Sequence, residues 1–276
     1  MNLIIQGGEI QNRDLRHLAK LAGASHIEQI TYEAFRLCET QARGGVAEYC
    51  EKAKLDFAFV PKNLKLADFG LMAMDMDSTL IAIECIDELA DIRGIKAEVS
   101  QITASSVRGE IEFTDSVRRR VALLAGLNES ALQRVYDERL QLSHGAEKML
   151  ARLKAAGIKT LLITSGFTFF AERLKDRLKL DYTSANSLEI VNGKLNGKLV
   201  EKIIDADAKA VKVEEIRKQL GLKKEQVIAL GDGANDLKMM AQAGVSIAYH
   251  AQPIVHRQTT YAIDHVGLEG VVNIFA

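Results

Sequence analysis

Two aspartates separated by one residue stand where an apolar run of the sequence ends. The run Leu71–Met74 is followed by Asp75 and Asp77. The alternation of a strand would direct both carboxylates to one side and Met76 to the other. Short apolar runs are typical of buried parallel strands, and open α/β folds bind ligands at the carboxyl ends of such strands. Two carboxylates placed there repel each other, and Mg²⁺ would stabilise them because it prefers carboxylate, water and phosphate oxygens.

The residues around this pair make the pattern more specific. The spacing Asp-x-Asp alone is also expected of a strand that ends in a turn with solvated acids. The longer string Asp-Met-Asp-Ser-Thr, which begins at Asp75, is far more restrictive. It resembles the first motif of the haloacid dehalogenase (HAD) superfamily, in the form found in phosphoserine phosphatases. This resemblance implies that Asp75 is the nucleophile and that Asp77 acts as general acid and then as general base.

A third carboxylate follows another apolar segment near the end of the chain. The predicted strand Gln226–Leu230 leads into Gly-Asp-Gly-Ala-Asn-Asp. Glycines at this place permit a tight turn and close approach of the backbone to a ligand. The string resembles the fourth superfamily motif, Gly-Asp-Gly-x-Asn-Asp. The resemblance implies that Asp232 binds Mg²⁺ with Asp75 and the backbone carbonyl of Asp77. It also implies that Asn235 contacts the substrate.

Two further segments resemble the second and third motifs. The predicted strand Lys159–Ile163 is followed by Thr-Ser-Gly, which on its own is usually only a turn. Its place in the series implies that the Ser165 hydroxyl and the Gly166 amide bind the phosphate, although Phe167 stands where these phosphatases commonly have a second glycine. Lys209 is one of several lysines in its region. Only the resemblance implies that it balances charge on the phosphate and on a neighbouring aspartate.

Between Glu84 and Leu142 the sequence pattern becomes helical. Four helices are predicted, at about 84–93, 96–108, 114–125 and 129–140. A glycine follows each of the first three helices, and Thr114 and Asn128 are candidate N-caps. An all-helical block inserted after the first strand of an α/β domain is expected to be a lid. The resemblance implies a cap that closes over the active site.

The third of these helices contains three consecutive arginines that face different sides. At ~100° per residue, Arg119 lies opposite the apolar stripe that includes Val117, whereas Arg120 borders that stripe. A guanidinium at such a border needs an anion, and its planar fork suits a carboxylate. The resemblance implies that Arg120 binds the substrate's carboxylate and that Glu84 binds its amino group. Without the resemblance, Glu84 is an ordinary acid in the first turn of a helix.

Residues 1–65 are predicted to form a small separate α+β domain. We expect the HAD-like domain, a Rossmannoid α/β parallel sheet, to span 70–276, with the helical cap at about 84–142. The order predicted for the first domain is β-α-β-α-β, with strand favoured over helix for Ile27–Cys38. On pattern alone this order resembles the amino-acid-sensing ACT domains. We expect a packing or dimerisation module, and hence a possible homodimer, rather than a ligand sensor.

Composition limits the class of partner. The chain has 276 residues, with 36 basic residues against 37 acidic ones, which gives no electrostatic footprint for nucleic acid or a membrane surface. Three cysteines without metal-ligand spacing fit a reducing compartment. None of the six histidines falls in a metal-ligand or triad pattern. No apolar stretch approaches the ~20 residues of a membrane span. We therefore expect a cytoplasmic protein that acts on a small molecule.

The motifs together predict a Mg²⁺-dependent phosphatase. The resemblance implies hydrolysis of O-phospho-L-serine to L-serine and phosphate through an aspartyl phosphate, as the last step of serine synthesis. One alternative is a HAD phosphatase or phosphotransferase that acts on another small phosphate ester, and a second is a non-catalytic amino-acid sensor. Arg120 and Glu84 would complement both charges of an amino acid, which argues against sugar and nucleotide phosphates. A P-loop NTPase is excluded because its Gly-x-x-x-x-Gly-Lys-Ser/Thr motif is absent.

Overall fold

The first part of the chain folds as a four-stranded antiparallel sheet with two helices on one face. The structure is a computed structural model that describes residues 1–276. The elements of this part are β1 (Asn2–Gln6), α1 (Asn12–Ala22), β2 (His26–Thr31), β3 (Ala34–Cys38), α2 (Val46–Ala53) and β4 (Asp56–Val60). The strands lie in the order β2-β3-β1-β4. The segment Ile27–Cys38 is thus a hairpin rather than one element, and the added strand gives the ferredoxin-like order β-α-β-β-α-β.

The second face of this sheet packs against the rest of the chain. Ile4 and Val60 belong to the same buried apolar cluster as Phe275, close to the C-terminus. The carboxylate of Asp56 is buried and accepts three backbone N–H groups at 2.8–3.0 Å. The donors are the amides of Asp264, His265 and Val266. The first domain is therefore held to the second by a shared core and by buried hydrogen bonds, because an unpaired buried amide or carboxylate would be costly.

The remainder of the chain is built around a six-stranded parallel sheet with helices on both faces. Its elements up to the third strand of this sheet are β5 (Leu71–Met74), α3 (Cys85–Arg93), α4 (Lys96–Val107), α5 (Phe113–Leu123), α6 (Ser130–Glu138), α7 (Ala146–Ala155), β6 (Lys159–Phe167), α8 (Thr168–Leu178) and β7 (Tyr182–Asn186). The later elements are β8 (Leu188–Val191), β9 (Lys194–Leu199), α9 (Ala206–Gln219), β10 (Val227–Gly231), α10 (Leu237–Met240), β11 (Val245–Tyr249), α11 (Pro253–His256), β12 (Tyr261–Ile263) and α12 (Glu269–Asn273).

The strand order β12-β11-β10-β5-β6-β7 determines where the motifs meet. β5 lies between β10 and β6, and all three run in parallel. Their carboxyl ends, which carry the first, fourth and second motifs, therefore share one edge of the sheet. Every residue of β5 is buried, as expected of a central strand covered on both faces. The predicted α/β fold with a parallel sheet is confirmed.

The helices α3–α6 form an insertion between β5 and α7. α5 begins at Phe113, so Thr114 lies within the helix rather than at its N-cap. The hairpin β8–β9 joins this insertion, since the amide of Gly126 donates to the carbonyl of Leu195 at 2.7 Å. The sequence of residues 182–200, with Asn192-Gly193 and Asn196-Gly197, predicts a short hairpin outside the main sheet. β8 and β9 form such a hairpin, whereas Tyr182–Asn186 is the edge strand of the main sheet. No helix is both long and apolar enough to cross a membrane.

Candidate active site

A cavity of about 860 Å³ lies between the carboxyl edge of the parallel sheet and the helical insertion. Eight of the nine predicted site residues line it. They are Asp75, Asp77, Glu84, Arg120, Ser165, Gly166, Asp232 and Asn235. The ninth, Lys209, is completely buried behind the cavity wall. Segments far apart in the chain are thus brought to one place, with acidic groups from the sheet and one acid and one arginine from the cap.

Asp75 is held by a buried lysine. Nζ of Lys209 lies 2.9 Å from Oδ1 of Asp75 and 2.7 Å from Oδ1 of Asp236. Burial alone would lower the pKa of Lys209, but the charges of Asp236 and Asp75 outweigh this effect and raise it above its ordinary value. Burial, followed by the charge of Asp236, raises the pKa of Asp75, and Lys209 opposes the rise. The backbone amide of Met76 also donates to Oδ1 of Asp75, at 2.8 Å. One oxygen of this carboxylate is therefore fixed by two donors.

Asp77 is bonded to both walls of the cavity. Its Oδ1 accepts the backbone amide of Cys85, at the start of α3, over 2.8 Å. Its Oδ2 accepts the hydroxyl of Thr164, at the end of β6, over 3.3 Å. Burial raises the pKa of Asp77, and a raised pKa suits a group that must deliver a proton. Gly166 passes so close to Oδ2 of Asp77 that any side chain would collide with it.

The acidic groups fit a divalent cation. Carboxylate oxygens of Asp75, Asp232 and Asp236 all lie within 4.8 Å of one another. Asp236 is already used, because one oxygen pairs with Lys209 and the other accepts the amide of Gly233 at 3.2 Å. Asp232 has only the hydroxyl of Thr79 as a donor, at 3.0 Å, and burial with the charge of Asp236 raises its pKa to about 7. A hard cation held by Asp75 and Asp232 would relieve this repulsion.

The cap side of the cavity carries one acid and one base. Oε1 of Glu84 accepts the hydroxyl of Ser78 at 2.7 Å, and Ser78 holds a left-handed backbone with φ of 52°. Glu84 is open to the cavity, but enclosure by its walls and the charge of Asp77 raise its pKa to about 8. Arg120 is half-buried and donates from Nε to the carbonyl of Ser116 at 3.4 Å. It forms no salt bridge within the chain, so its guanidinium is available to an anion.

Two residues of the second motif form hydrogen bonds within the protein that the sequence did not indicate. The hydroxyl of Ser165 donates to the carbonyl of Ile204 at 2.6 Å. The amide of Gly166 donates to the hydroxyl of Thr164 at 2.8 Å. Both predicted phosphate donors therefore lie on the cavity wall, but each must exchange a protein partner for a phosphate oxygen.

Asn186 is a buried residue of this site that sequence reasoning missed. Its Nδ2 donates to the carbonyl of Ser165 at 2.7 Å, and its Oδ1 accepts the amide of Ile204 at 2.8 Å. It thus joins the second motif, in the irregular last part of β6, to the segment that precedes α9 and Lys209. Nothing in its neighbourhood of the sequence marks it, because an asparagine beside predicted turns is usual. Asp236 was also missed, although it is the last residue of the fourth motif and could have been found there.

Comparisons with known proteins agree with this geometry. A family model described as haloacid dehalogenase-like hydrolase matches residues 72–241, and a domain of unknown function matches residues 3–46. A phosphoserine phosphatase of Polaromonas sp. is 48% identical over 217 residues, which cover 77% of this chain and 92% of that protein. A phosphoserine phosphatase of Vibrio cholerae is 41% identical over 223 residues, which cover 81% of this chain and 68% of that protein.

Solved structures that share the fold of this chain include phosphoserine phosphatases. A probable phosphoserine phosphatase from Vibrio cholerae has a TM-score of 0.86 at 34% identity, and covers 99% of this chain and 86% of its own. A structure described as a phospho-aspartyl intermediate analogue of phosphoserine phosphatase has a TM-score of 0.72 at 34% identity, and covers 75% of this chain and 99% of its own. The chain therefore belongs to the haloacid dehalogenase-like hydrolase family, as its motifs predicted.

Proposed function

We propose that the chain is a Mg²⁺-dependent phosphatase that hydrolyses O-phospho-L-serine to L-serine and phosphate. The observation that carries this proposal is that one cavity contains Asp75 and Asp77 together with the unpaired arginine Arg120 and the acid Glu84. The last two complement the carboxylate and the ammonium of an amino acid. Relatives named phosphoserine phosphatase, at up to 48% identity, support the same substrate.

Asp75 acts as the nucleophile in this proposal. One of its carboxylate oxygens attacks phosphorus, the bond between phosphorus and the serine oxygen breaks, and the phosphoryl group becomes attached to Asp75. Lys209 and the amide of Met76 fix Oδ1, which orients the plane of the carboxylate before the attack. A fixed orientation lowers the barrier because less orientational entropy is lost when the transition state forms.

Asp77 supplies and then recovers a proton. Its raised pKa favours the protonated form, so it can protonate the departing serine oxygen. The amide of Cys85 then stabilises the carboxylate that remains. In the second half of the reaction this carboxylate takes a proton from the water that attacks phosphorus. The bond between phosphorus and Asp75 breaks, and both aspartates return to their starting state.

Members of this family generally use a divalent metal, and we propose that Asp75, Asp232 and the backbone carbonyl of Asp77 hold Mg²⁺ here. When bound, the ion would neutralise charge on the attacking carboxylate and on the phosphate, so that one anion can approach another. Lys209 adds a second positive charge at Asp75 that does not depend on the ion. These two positive charges, the ion and Lys209, would offset the excess of carboxylates that line the cavity.

The remaining predicted residues bind the substrate in this proposal. The Ser165 hydroxyl and the Gly166 amide hold phosphate oxygens after exchanging their present partners, and Lys209 balances the phosphate charge through Asp75. Arg120 binds the substrate's carboxylate and Glu84 its ammonium. Asn235 lies on the sheet side of the same cavity, where its amide can contact the substrate.

A panel of phosphate esters tests the proposal. With Mg²⁺ present, we expect the highest kcat/KM for phosphoserine, a lower value for 3-phosphooxypropanoate, which lacks only the ammonium, and a lower value for phosphoethanolamine, which lacks only the carboxylate. Glu84→Gln should reduce the preference for phosphoserine over 3-phosphooxypropanoate, whereas the preference for phosphoserine over phosphoethanolamine should remain. Faster turnover of a sugar phosphate or a nucleotide than of phosphoserine would show that the substrate is wrong.

A further inference from the structure

A second cluster of metal-binding side chains lies on the first domain, away from the active-site cavity. His26 and Glu28 are on the edge strand β2, and Cys38 is on its neighbour β3. His26 and Cys38 are directly opposite each other in the antiparallel pair, and Glu28 follows on the same face. A ring nitrogen, a carboxylate oxygen and the sulfur of these residues all lie within 4.8 Å of one another. None of the three takes part in the proposed reaction.

Ser25 determines which nitrogen of His26 faces the cluster. The Ser25 hydroxyl lies 3.3 Å from the carbonyl of Cys38 and 2.9 Å from Nδ1 of His26, so it can donate to the carbonyl and accept from a protonated Nδ1. The other ring nitrogen, Nε2, faces Glu28. Nε2 lies 3.3 Å from Oε1 of Glu28. Nε2 donates to this carboxylate when it carries the ring proton, and a cation would take the place of that proton between the same two atoms.

The carboxylate of Glu28 is oriented for the same point. Arg36 donates to Oε2 of Glu28 at 2.8 Å and leaves Oε1 on the side of His26 and Cys38. Metal sites commonly contain residues that orient the metal-binding side chains through hydrogen bonds, as Ser25 and Arg36 can do here. Burial raises the pKa of the Cys38 thiol, and Glu28 raises it further, so a bound cation would have to displace the thiol proton.

We propose that His26, Glu28 and Cys38 bind Zn²⁺ through Nε2, Oε1 and Sγ, with water as the fourth ligand. Nitrogen, oxygen and sulfur are the three donor types that Zn²⁺ accepts in tetrahedral sites, whereas Mg²⁺ prefers oxygen alone. The ion would join β2 to β3 and so stabilise the edge of the sheet. Spacing in the sequence does not show this site, because the hairpin brings together residues that are 12 positions apart.

Co²⁺ is the probe that separates this site from the active site. The full chain is first saturated with Mg²⁺ and then titrated with Co²⁺, whose bond to a thiolate produces a charge-transfer absorption that oxygen ligands cannot give. We expect this absorption to appear, to saturate, and to be lost when Zn²⁺ displaces Co²⁺. His26→Ala and the nearly isosteric Cys38→Ser should abolish it. Ser25→Ala should weaken binding by about tenfold.

Cys50→Ala is the matched control, because Cys50 is a buried thiol of the same domain that lies outside the cluster. This variant should keep the absorption, and circular dichroism should show that each variant is folded. Cys38→Ser should also keep the phosphatase rate of the wild type. A failure of the Zn²⁺-site proposal can therefore be distinguished from a failure of the proposed phosphatase function. A wild-type chain without the absorption, or a Cys38→Ser variant that keeps it, would overturn the proposal.

Discussion

The backbone amide of Cys85 donates to Oδ1 of Asp77 over 2.8 Å. Cys85 is the first residue of α3, so its amide has no partner within the helix and lies at the positive end of the helix dipole. The proposed acid and base of the reaction is thus bonded directly to the first helix of the cap. The next residue back, Glu84, is the proposed ligand of the substrate's ammonium. The proposed site for the substrate's ammonium and the charge of Asp77 are therefore connected through two adjacent residues, Glu84 and Cys85.

Arg120 should determine the preference for a substrate carboxylate. Its guanidinium lines the cavity and has no carboxylate partner in the chain. Arg120→Ala removes a charge-assisted pair worth roughly 2 to 3 kcal/mol, so kcat/KM for phosphoserine should fall about a hundredfold. Phosphoethanolamine and p-nitrophenyl phosphate have no carboxylate and should lose little. Steady-state phosphate release with each ester gives the comparison.

Arg119→Ala is the control for this variant, since Arg119 is the exposed neighbour on the same helix. It should be close to wild type with every ester. Equal losses for phosphoserine and p-nitrophenyl phosphate in Arg120→Ala would mean that Arg120 supports the cap rather than the substrate.

Lys209 should be needed for stability as well as for turnover. Lys209→Met leaves the carboxylates of Asp75 and Asp236 buried without their shared cation. Removing one partner of a buried ion pair costs about 3–5 kcal/mol, and denaturant unfolding without metal should show a loss of this size. Lys212→Met, whose partner Glu215 is exposed, should change stability by less than about 1 kcal/mol. Unchanged stability of Lys209→Met would contradict the assignment of Lys209 as the cation that stabilises the carboxylates of Asp75 and Asp236.

Without metal, stability should fall as the pH rises. The pKa of Asp232 is raised from 3.8 to about 7 in the folded chain, so between these values the folded state binds more protons than the unfolded state. Its contribution is complete below 3.8 and is lost as the pH rises through about 7. Urea unfolding in chelator at several pH values should show this decline. Added Mg²⁺ should stabilise the chain more at the upper end of the range, because the ion binds the ionised carboxylate.

Asp232→Asn provides the comparison for that experiment, since an amide does not titrate. The variant should show a smaller decline with pH and a smaller effect of Mg²⁺. If wild type and variant respond alike, Asp232 is neither the titrating group nor a ligand.

Asn186 should act on turnover through the position of the second motif at the end of β6. Asn186→Asp keeps the acceptor for the amide of Ile204 but replaces the donor to the carbonyl of Ser165 with a repelling oxygen. A misplacement of about 1 Å can cost about a hundredfold in rate, so we expect kcat/KM to fall by about 10- to 100-fold. Inhibition by inorganic phosphate should weaken in parallel. A variant that unfolds earlier but binds phosphate as wild type does would have a structural role only.

The sequence predicted the parallel sheet, and the motifs that line the candidate site could be identified in it, because both depend on local signals. The apolar runs before Asp75 and Asp232 were long enough to identify strands, and each motif follows its strand directly. The helices of the insertion were also predicted close to their observed limits, since glycines follow the first three of them. These features require no knowledge of which segments meet in space.

Contacts between distant segments could not be predicted in this way. The bonds of Asn186 to Ser165 and Ile204 depend on β7 joining the main sheet, and the sequence placed that strand in a separate hairpin. The buried carboxylate of Asp56 gave no sign that it would accept amides more than 200 positions away. Both residues look like ordinary polar residues beside a turn or at the start of a strand until the tertiary fold is known.

Trapping of the phosphoryl group tests the proposed mechanism most directly. Wild-type chain is mixed briefly with Mg²⁺ and phosphoserine labelled at phosphorus, quenched in acid, digested and analysed by mass. Because Asp75 is the proposed nucleophile, the label should be found on the peptide that contains Asp75, and Asp75→Asn should be folded, inactive and unlabelled. A label on another residue, or turnover by Asp75→Asn at close to the wild-type rate, would contradict the mechanism.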